Sequence, residues 1–310
     1  MTSINLFINE TQQIGPLHVW PLKVTGVSSH PYAVAPFRDK LTFSEYDDGD
    51  GARVNVIEVR NPTDEDFMIP SGWIVGANLL QVRTFNQSVF VAAGESLLAE
   101  VSCVEKGRWS AGENDVDGGR APISVISAGW DYDIERQVWV LDKSSRQSRV
   151  WKQVSRQESR FGSRETSSLQ QIMREDSEVS GIQSHIQQIS QESLRTFQNQ
   201  NGYLIAVDGQ LILMEVFSDS RNIQKTLLET VRAISFDIAH LDFEPTLDND
   251  VRKFVEEANL GNLVSIHLDD WANEFAGGSN GVDTKASRDR QGRLLHSISI
   301  NRRHRLLLEV

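Results

Sequence analysis

Through residues 1 to about 110 the apolar positions fall in short β-branched runs rather than at helical spacing. Val54, Val56, Ile57 and Val59 lead into the turn signal Asn61-Pro62. Phe67 to Gly72, with Pro70 and Gly72, reads as a second turn ahead of Trp73-Ile-Val-Gly76. Ser88 to Gly94 and Leu97 to Glu105 read as two strands joined near Gly94-Glu95-Ser96. Short strands at this spacing predict a sandwich or a small barrel. Gly112 to Pro122, rich in Gly, Asp and Asn, reads as a loop.

After about residue 143 the period lengthens. Lys143, Arg146, Arg149, Lys152, Arg156, Arg160 and Arg164 recur every three or four residues, which aligns them on one helical face. Val150, Trp151 and Val154 form a neighbouring apolar face, and Gly162-Ser163 marks a break. Leu169, Ile172, Val179, Ile182, Ile186, Ile189 and Phe197 predict a further long helix, or a pair interrupted near Gly181. Gly202 to Phe217 reads as a hairpin, because Asp208-Gly209 favours a type I′ turn. Ser218-Asp219-Ser220 is placed to cap a helix whose buried side carries Ile223, Leu227, Val231, Ile234 and Ile238. A shorter helix around Val251, Phe254, Val255 and Ala258 is expected to stop at Gly261, with a strand from Leu263 to Leu268. Ala276 to Arg290, rich in Gly, Ser and Asp, is read as a flexible loop, and Leu294 to Ile300 and Leu306 to Val310 as strand-like.

The fold class expected is α+β. It comprises a β-rich, sandwich-like N-terminal half over 1–142, a helical segment with the basic stripe over 143–200, and a small β-hairpin/helix unit over 201–310. The first and last of these are able to pack as one domain.

Composition narrows the function classes. The chain has 310 residues, 39% of them hydrophobic and 24% charged, in the ordinary range for globular proteins. Met1 to Glu10 lacks a basic start and a continuous apolar run, so no signal peptide is expected, and no apolar stretch approaches the roughly 20 residues that span a bilayer. The single cysteine, Cys103, has no partner for an intramolecular disulfide, so a cytoplasmic location is expected. A net charge of −12 argues against general affinity for nucleic acid or anionic membranes. The stripe from Lys143 to Arg164 sets seven cations against one acid, Glu158, a net +6, so the remainder carries −18. A phosphate-bearing partner would meet that stripe, unless it is simply a solvated helix face.

The polar residues that a β-core alone would not require lie between Gln81 and Trp109. On a strand ending at Glu105, Val101, Cys103 and Glu105 share one face. Cys103 has no histidine nearby in sequence and an acid beside it, which raises a thiol's pKa, so a small core residue is the expected role. Glu105, Arg108 and Trp109 at a strand end could bind a sugar hydroxyl, a phosphate and a ring, or could pair and pack at a corner. Gln81, Arg83, Asn86 and Ser88 line either a cleft wall or a solvated face. The histidines show no paired metal-ligand spacing, and His267-Leu-Asp269-Asp270 reads as a turn; no metal is expected and no cofactor is evident. P-loop, GxGxxG and GxSxG motifs are absent.

These residues resemble the "ARG and Rhodanese-Phosphatase-superfamily-associated" protein family, first type. The likeness rests on Val54 to Gly76, Gln81-Val-Arg83 with Asn86-Gln-Ser88-Val89, Val101-Ser-Cys103-Val-Glu105-Lys-Gly107-Arg108-Trp109, and Gln147-Ser-Arg-Val150-Trp151 with Ser163 to Thr166. The Cys-Val-Glu-x-Gly-Arg-Trp block is the specific part. Residues 125 to 142 depart from the pattern as an insertion carrying a second Gln137-Val-Trp139. The resemblance implies, through the family's genomic association, a role near ADP-ribose or related nucleotide metabolism. Three functions remain open. The first is an accessory binding protein for such a ligand, contacted by Gln81, Arg83, Asn86, Ser88, Arg108, Trp109, Gln147, Trp151 and Thr166. The second is a hydrolase with Glu105 as acid or base. The third is a scaffold or homo-oligomer.

Overall fold

Asp208 and Gly209 both take positive φ, 50° and 70°. Two such residues in a row make the type I′ turn that suits the right-handed twist of the strands it joins. Gly202–Val207 and Gln210–Phe217 therefore pair as a hairpin, and this hairpin is the middle of the molecule's main sheet.

The computed structural model describes residues 4–308 apart from 35–36, 38, 48, 50, 77–78, 108–117, 131, 134–137, 140–142, 163–165, 176–196, 240, 242–249 and 268–271. In chain order the elements begin with strands β1 (Asn5–Ile8), β2 (Gln12–Ile14), β3 (Leu17–Thr25), β4 (Thr42–Asp47) and β5 (Ala52–Arg60). Next come β6 (Phe67–Ile69), β7 (Ile74–Val75), β8 (Arg83–Phe85), β9 (Val89–Val91) and β10 (Ser96–Cys103). Helix α1 (Ile123–Ala128), strands β11 (Tyr132–Asp133) and β12 (Val138–Trp139), and helices α2 (Lys143–Phe161) and α3 (Leu169–Glu175) follow. The last third holds β13 (Gly202–Val207), β14 (Gln210–Phe217), α4 (Ile223–Ile238), α5 (Val251–Ala258), β15 (Val264–His267), β16 (Ala272–Ser279), β17 (Val282–Asp289), β18 (Leu294–Asn301) and α6 (Arg305–Leu308).

The main sheet runs β1-β3-β13-β14-β18-β17-β16-β15, with β2 added beside β3. A second sheet runs β4-β5-β10-β8-β7, and β6 pairs with β9. The first strands thus share a sheet with the last hundred residues, because β3 lies directly against β13. Alternation along the central strands divides the side chains between two layers. Trp20, Leu22, Leu204, Ala206, Met214 and Val216 pack with Phe254 and Ala258 of α5. Val19, Tyr203, Ile205, Leu213, Phe217 and Ile298 pack toward α4 and the second sheet, in a core that continues into Ile57, Phe85 and Val101.

The α+β class is thus observed. Asp219 caps the turn that enters α4, accepting the Arg221 N–H at 3.0 Å, and α4 buries Ile223, Leu227, Val231, Ile234 and Ile238 as expected. Four local expectations need correction. Phe67–Ile69 is not part of a turn but the strand β6, paired with β9, so that the turn is confined to the residues after it. Residues 276–290 are not a flexible loop but the second half of β16, the turn at Asn280-Gly281 and the whole of β17, interior strands of the sheet. Polar side chains of these strands bond inside: Thr284 Oγ1 bonds to the Ala258 carbonyl and to Ser299, both at 2.8 Å, and Arg288 donates to the Leu260 carbonyl at 2.7 Å. Arg305–Leu308 is a helical turn, not a strand. The short helix α5 ends one step early, with Asn259 rather than Gly261 taking the left-handed stop. The expected interruption near Gly181 lies outside the described residues.

Candidate functional site

The register of β8 against β10 sets Arg83 across from Cys103. Arg83 is 1% exposed, and its guanidinium donates to Gln81 Oε1 at 3.3 Å and to Glu45 Oε1 at 3.4 Å. Cys103 Sγ donates to the same Gln81 oxygen at 3.3 Å. Burial pushes this thiol up, Arg83 opposes and Glu45 adds to the rise, so it stays protonated and a poor nucleophile. Gln147 of α2 donates to the Cys103 carbonyl and accepts its N–H, both at 2.9 Å, taking the place of a neighbouring strand at the end of β10. Glu105, 2% exposed, accepts the Val82 N–H at 3.0 Å and the Thr166 hydroxyl at 2.8 Å. Gly107 lets the Thr166 backbone approach, since a Cβ there would stand 2.9 Å from Thr166 Cα.

Gln81, Arg83, Glu105, Gln147 and Thr166 are therefore brought together, at a corner where the second sheet meets α2. Trp151 is half-buried against the main core. Arg108 and Trp109 lie outside the described residues, as do Asp269 and Asp270. Four members of the basic stripe dock inward, whereas Lys152 is exposed and Arg164 lies outside the described residues. Arg146 bonds to Glu100 at 3.0 Å, while Arg149, Arg156 and Arg160 donate to the carbonyls of Ala128, Leu306 and Asp237.

Asn86 and Ser88 belong to a different network. Asn86 accepts the Ser102 hydroxyl at 2.8 Å, and Ser88 accepts the Ser71 N–H at 3.0 Å. The Ser71 carbonyl accepts Arg120 Nε at 3.2 Å, and Arg120 forks onto Glu215 at 2.5 and 2.8 Å. Both of those side chains have no exposed surface. The Tyr203 hydroxyl also donates to Glu215, and His296 Nε2 lies 2.9 Å from its second oxygen. Thr230 accepts from Arg120 at 2.6 Å. Burial works to raise the Glu215 carboxyl, but the Arg120 charge and the hydrogen bonds from His296 and Arg120 outweigh it and hold the group at about 2. Burial and the Glu215 charge push Tyr203 far up, so it remains a phenol.

A third grouping has open space. Where the turn between β17 and β18 meets β9 and the segment at 28–34 lies a cleft of about 160 Å³. Its walls include His30, Phe90, Arg290 and Arg293. The His30 and Phe90 rings stand 5.7 Å apart, and His30 Nε2 is 2.5 Å from Asp66 Oδ2. Asp289 ties the turn down, accepting Ser28 Oγ at 2.6 Å and Arg293 Nε at 3.1 Å. A cavity of roughly this size takes one benzene-sized ring or a phosphoryl group, not a whole dinucleotide.

Residues 5–298 match the ARG and Rhodanese-Phosphatase-superfamily-associated Protein domain, ARPP-1. The chain belongs to this family. No curated protein and no solved structure matches it. The matched ARPP-1 domain extends through both sheets and contains all three groupings.

Sequence reasoning missed most of the second and third groupings in this ARPP-1 domain. Glu215 and His296 did carry a signal, each being a lone ionisable residue within an apolar strand, Leu-Ile-Leu-Met-Glu-Val-Phe and Leu-Leu-His-Ser-Ile. His30, Asp66, Phe90 and Arg293 carried none, because they are far apart in sequence and only the topology assembles them. Among the described residues, no three His, Cys, Asp or Glu side chains converge as a metal site, and no helix is long and apolar enough to cross a membrane.

Proposed function

We propose that this ARPP-1 domain is a binding module for a small phosphate-bearing ligand with a planar ring, of the ADP-ribose or nucleotide kind, held in the cleft beside Phe90. The observation that carries this reading is the presence of the His30–Phe90 ring pair and of Arg290 and Arg293 around one open volume. Aromatic faces stack on rings, and arginine supplies forked contacts to phosphate. The family's name, which links it to ADP-ribose-related proteins, supports the same ligand class. The cleft's size means that one group is enclosed and the rest of the ligand lies outside it.

A second reading, hydrolysis, is favoured by the His30–Asp66 pair, since a carboxylate on one ring nitrogen orients the other as a proton acceptor. Glu105 is worse placed for that role, with both oxygens engaged and almost no exposure.

The test is a thermal-shift titration of the full chain with ADP-ribose, NAD, cyclic nucleotides and phosphosugars. One class should raise the Tm, by a stabilisation of about 2.7 kcal/mol at a hundredfold excess over Kd, and the rise should vanish in Arg290→Ala with Arg293→Ala. A flat response across the panel, or an undiminished rise in the double variant, sinks the proposal. Turnover lost in His30→Gln while binding persists would establish the hydrolytic reading.

A further inference from the structure

The turn between β17 and β18 forms one wall of the cleft, and a single carboxylate, that of Asp289, organises it. Asp289 Oδ1 accepts the backbone N–H groups of Gln291 and Arg293, both at 2.9 Å. Its Oδ2 accepts the Ser28 hydroxyl at 2.6 Å and Arg293 Nε at 3.1 Å. The backbone closes the same turn, the Asp289 N–H donating to the Arg293 carbonyl at 2.9 Å and the Gly292 N–H to the Asp289 carbonyl at 2.8 Å. Gly292 takes a φ of 74°, a conformation that a side chain would resist. Ser28 in turn accepts the His30 N–H at 3.1 Å, so the carboxylate is also tied to the segment that carries His30. Burial works to raise the Asp289 carboxyl, but the hydrogen bonds from Ser28, Arg293 and Gln291 outweigh it and hold the group below the usual carboxylate range.

Arg293 lines the cleft and is 30% exposed. A long cationic side chain ordinarily loses rotamer freedom when it grips a ligand. Here the Nε edge is already committed to Asp289, and among the described residues the two terminal nitrogens meet no acceptor. Those nitrogens form the edge that donates in parallel to two oxygens of one phosphate. The charge of Asp289 opposes such a ligand, because it adds an anion to the cleft wall. Repulsion between partly exposed charges is screened by water and salt, whereas the aim of a forked contact is not, so position outweighs charge.

We infer that Asp289 is a positioning residue of this cleft: it holds Arg293 by Nε so that the two terminal nitrogens make a forked contact with one phosphate group. The inference rests on the preceding reading of the cleft as a phosphate site. Asp289 itself does not touch the ligand, since both of its oxygens are filled by the turn, Ser28 and Arg293.

Asp289→Asn separates this role from closure of the turn. The amide oxygen stays with the two backbone N–H groups, which places the amide NH2 where Oδ2 was. Ser28 can rotate its hydroxyl to accept from that group, but Arg293 Nε loses its acceptor. With inorganic phosphate as the probe, in calorimetry on the full chain, Asp289→Asn should weaken binding about tenfold. Charge alone predicts the opposite sign, because the variant removes an anion from the wall. Arg293→Lys, which keeps the charge without the fork, should weaken binding by a similar factor, and Asp289→Asn added to it should weaken it no further. By nitrogen-15 NMR the Arg293 Nε–H, assigned through its loss in Arg293→Lys, should exchange slowly with water in the wild-type chain and rapidly in Asp289→Asn. Phosphate held as tightly by Asp289→Asn, or more tightly, overturns the positioning role and leaves the cleft standing. Phosphate that does not bind the wild-type chain overturns the cleft reading and this role with it. A rapidly exchanging Nε–H in the wild-type chain overturns the role without any change at Asp289, which covers the case of a variant that does not fold.

Discussion

Glu215 is an ionised carboxylate with no exposed surface, kept so by Arg120, Tyr203 and His296. Removing one charge of such a pair leaves the other buried and uncompensated, which costs about 3–5 kcal/mol. Glu215→Gln should therefore lower unfolding free energy by that amount in a urea titration, whereas Tyr203→Phe should cost only about 1–2 kcal/mol. His304 makes a different prediction. Its Nδ1 accepts the Leu306 N–H at 3.2 Å and its Nε2 faces the Val207 carbonyl at 3.3 Å, an arrangement for the neutral ring. Burial, chiefly, lowers it from 6.5 to about 4. As pH falls below 6.5 the unfolded chain takes up the proton first, so stability declines until about pH 4 and the contribution then levels off. The loss reaches up to about 3 kcal/mol, and His304→Gln should flatten the pH dependence of unfolding across that window. The polar residues of the Gln81 to Glu105 block were legible as a group in the sequence, and Gln81, Arg83 and Glu105 come together while Asn86 and Ser88 join a different network. Their partners Glu45 and Val82 were not legible, since those contacts depend on how two strands and a connection are laid across one another.

At the scale of elements, α2 is the informative case. Its cationic periodicity reads as a surface stripe, but Arg149 reaches the carbonyls of Ala128 and Trp130 at the end of α1, and Arg160 that of Asp237 at the end of α4. These are the carbonyls that a helix leaves without partners, and cations there also oppose the helix dipole favourably. Arg160→Ala should therefore cost about 1–2 kcal/mol in thermal unfolding, while changing phosphate affinity little; an unchanged Tm would refute the assignment. Periodicity shows which side chains share a face, and does not show what the face meets. The turns show the same limit. Asp208-Gly209 was readable as a hairpin, and Asn280-Gly281, with φ of 51° and 82°, makes the same kind of turn between β16 and β17. Its flanking strands are rich in Gly, Ser and Asp because polar contacts to α5 and β18 replace apolar ones, so composition pointed to a loop.

Most of the molecule shares one continuous core that includes Ile57 of β5, Phe85 of β8, Val150 of α2, Leu227 of α4 and Ile298 of β18, and a second core lies between the other face of the main sheet and α5. Elements joined in this way cannot unfold separately without exposing the shared surface. Urea unfolding followed by tryptophan fluorescence and by far-ultraviolet circular dichroism should give coincident single transitions; two separated midpoints would show independent units. The pairing of β3 with β13 also has a consequence for synthesis. Roughly 180 residues separate the end of one strand from the start of the other, and at ribosomal speeds of about 5–20 residues per second the wait is about 10–35 s. Through that interval Leu17, Val19, Trp20 and Leu22 are in solution without the strand that will cover them. Slowing translation downstream of β3 should therefore lower the soluble yield.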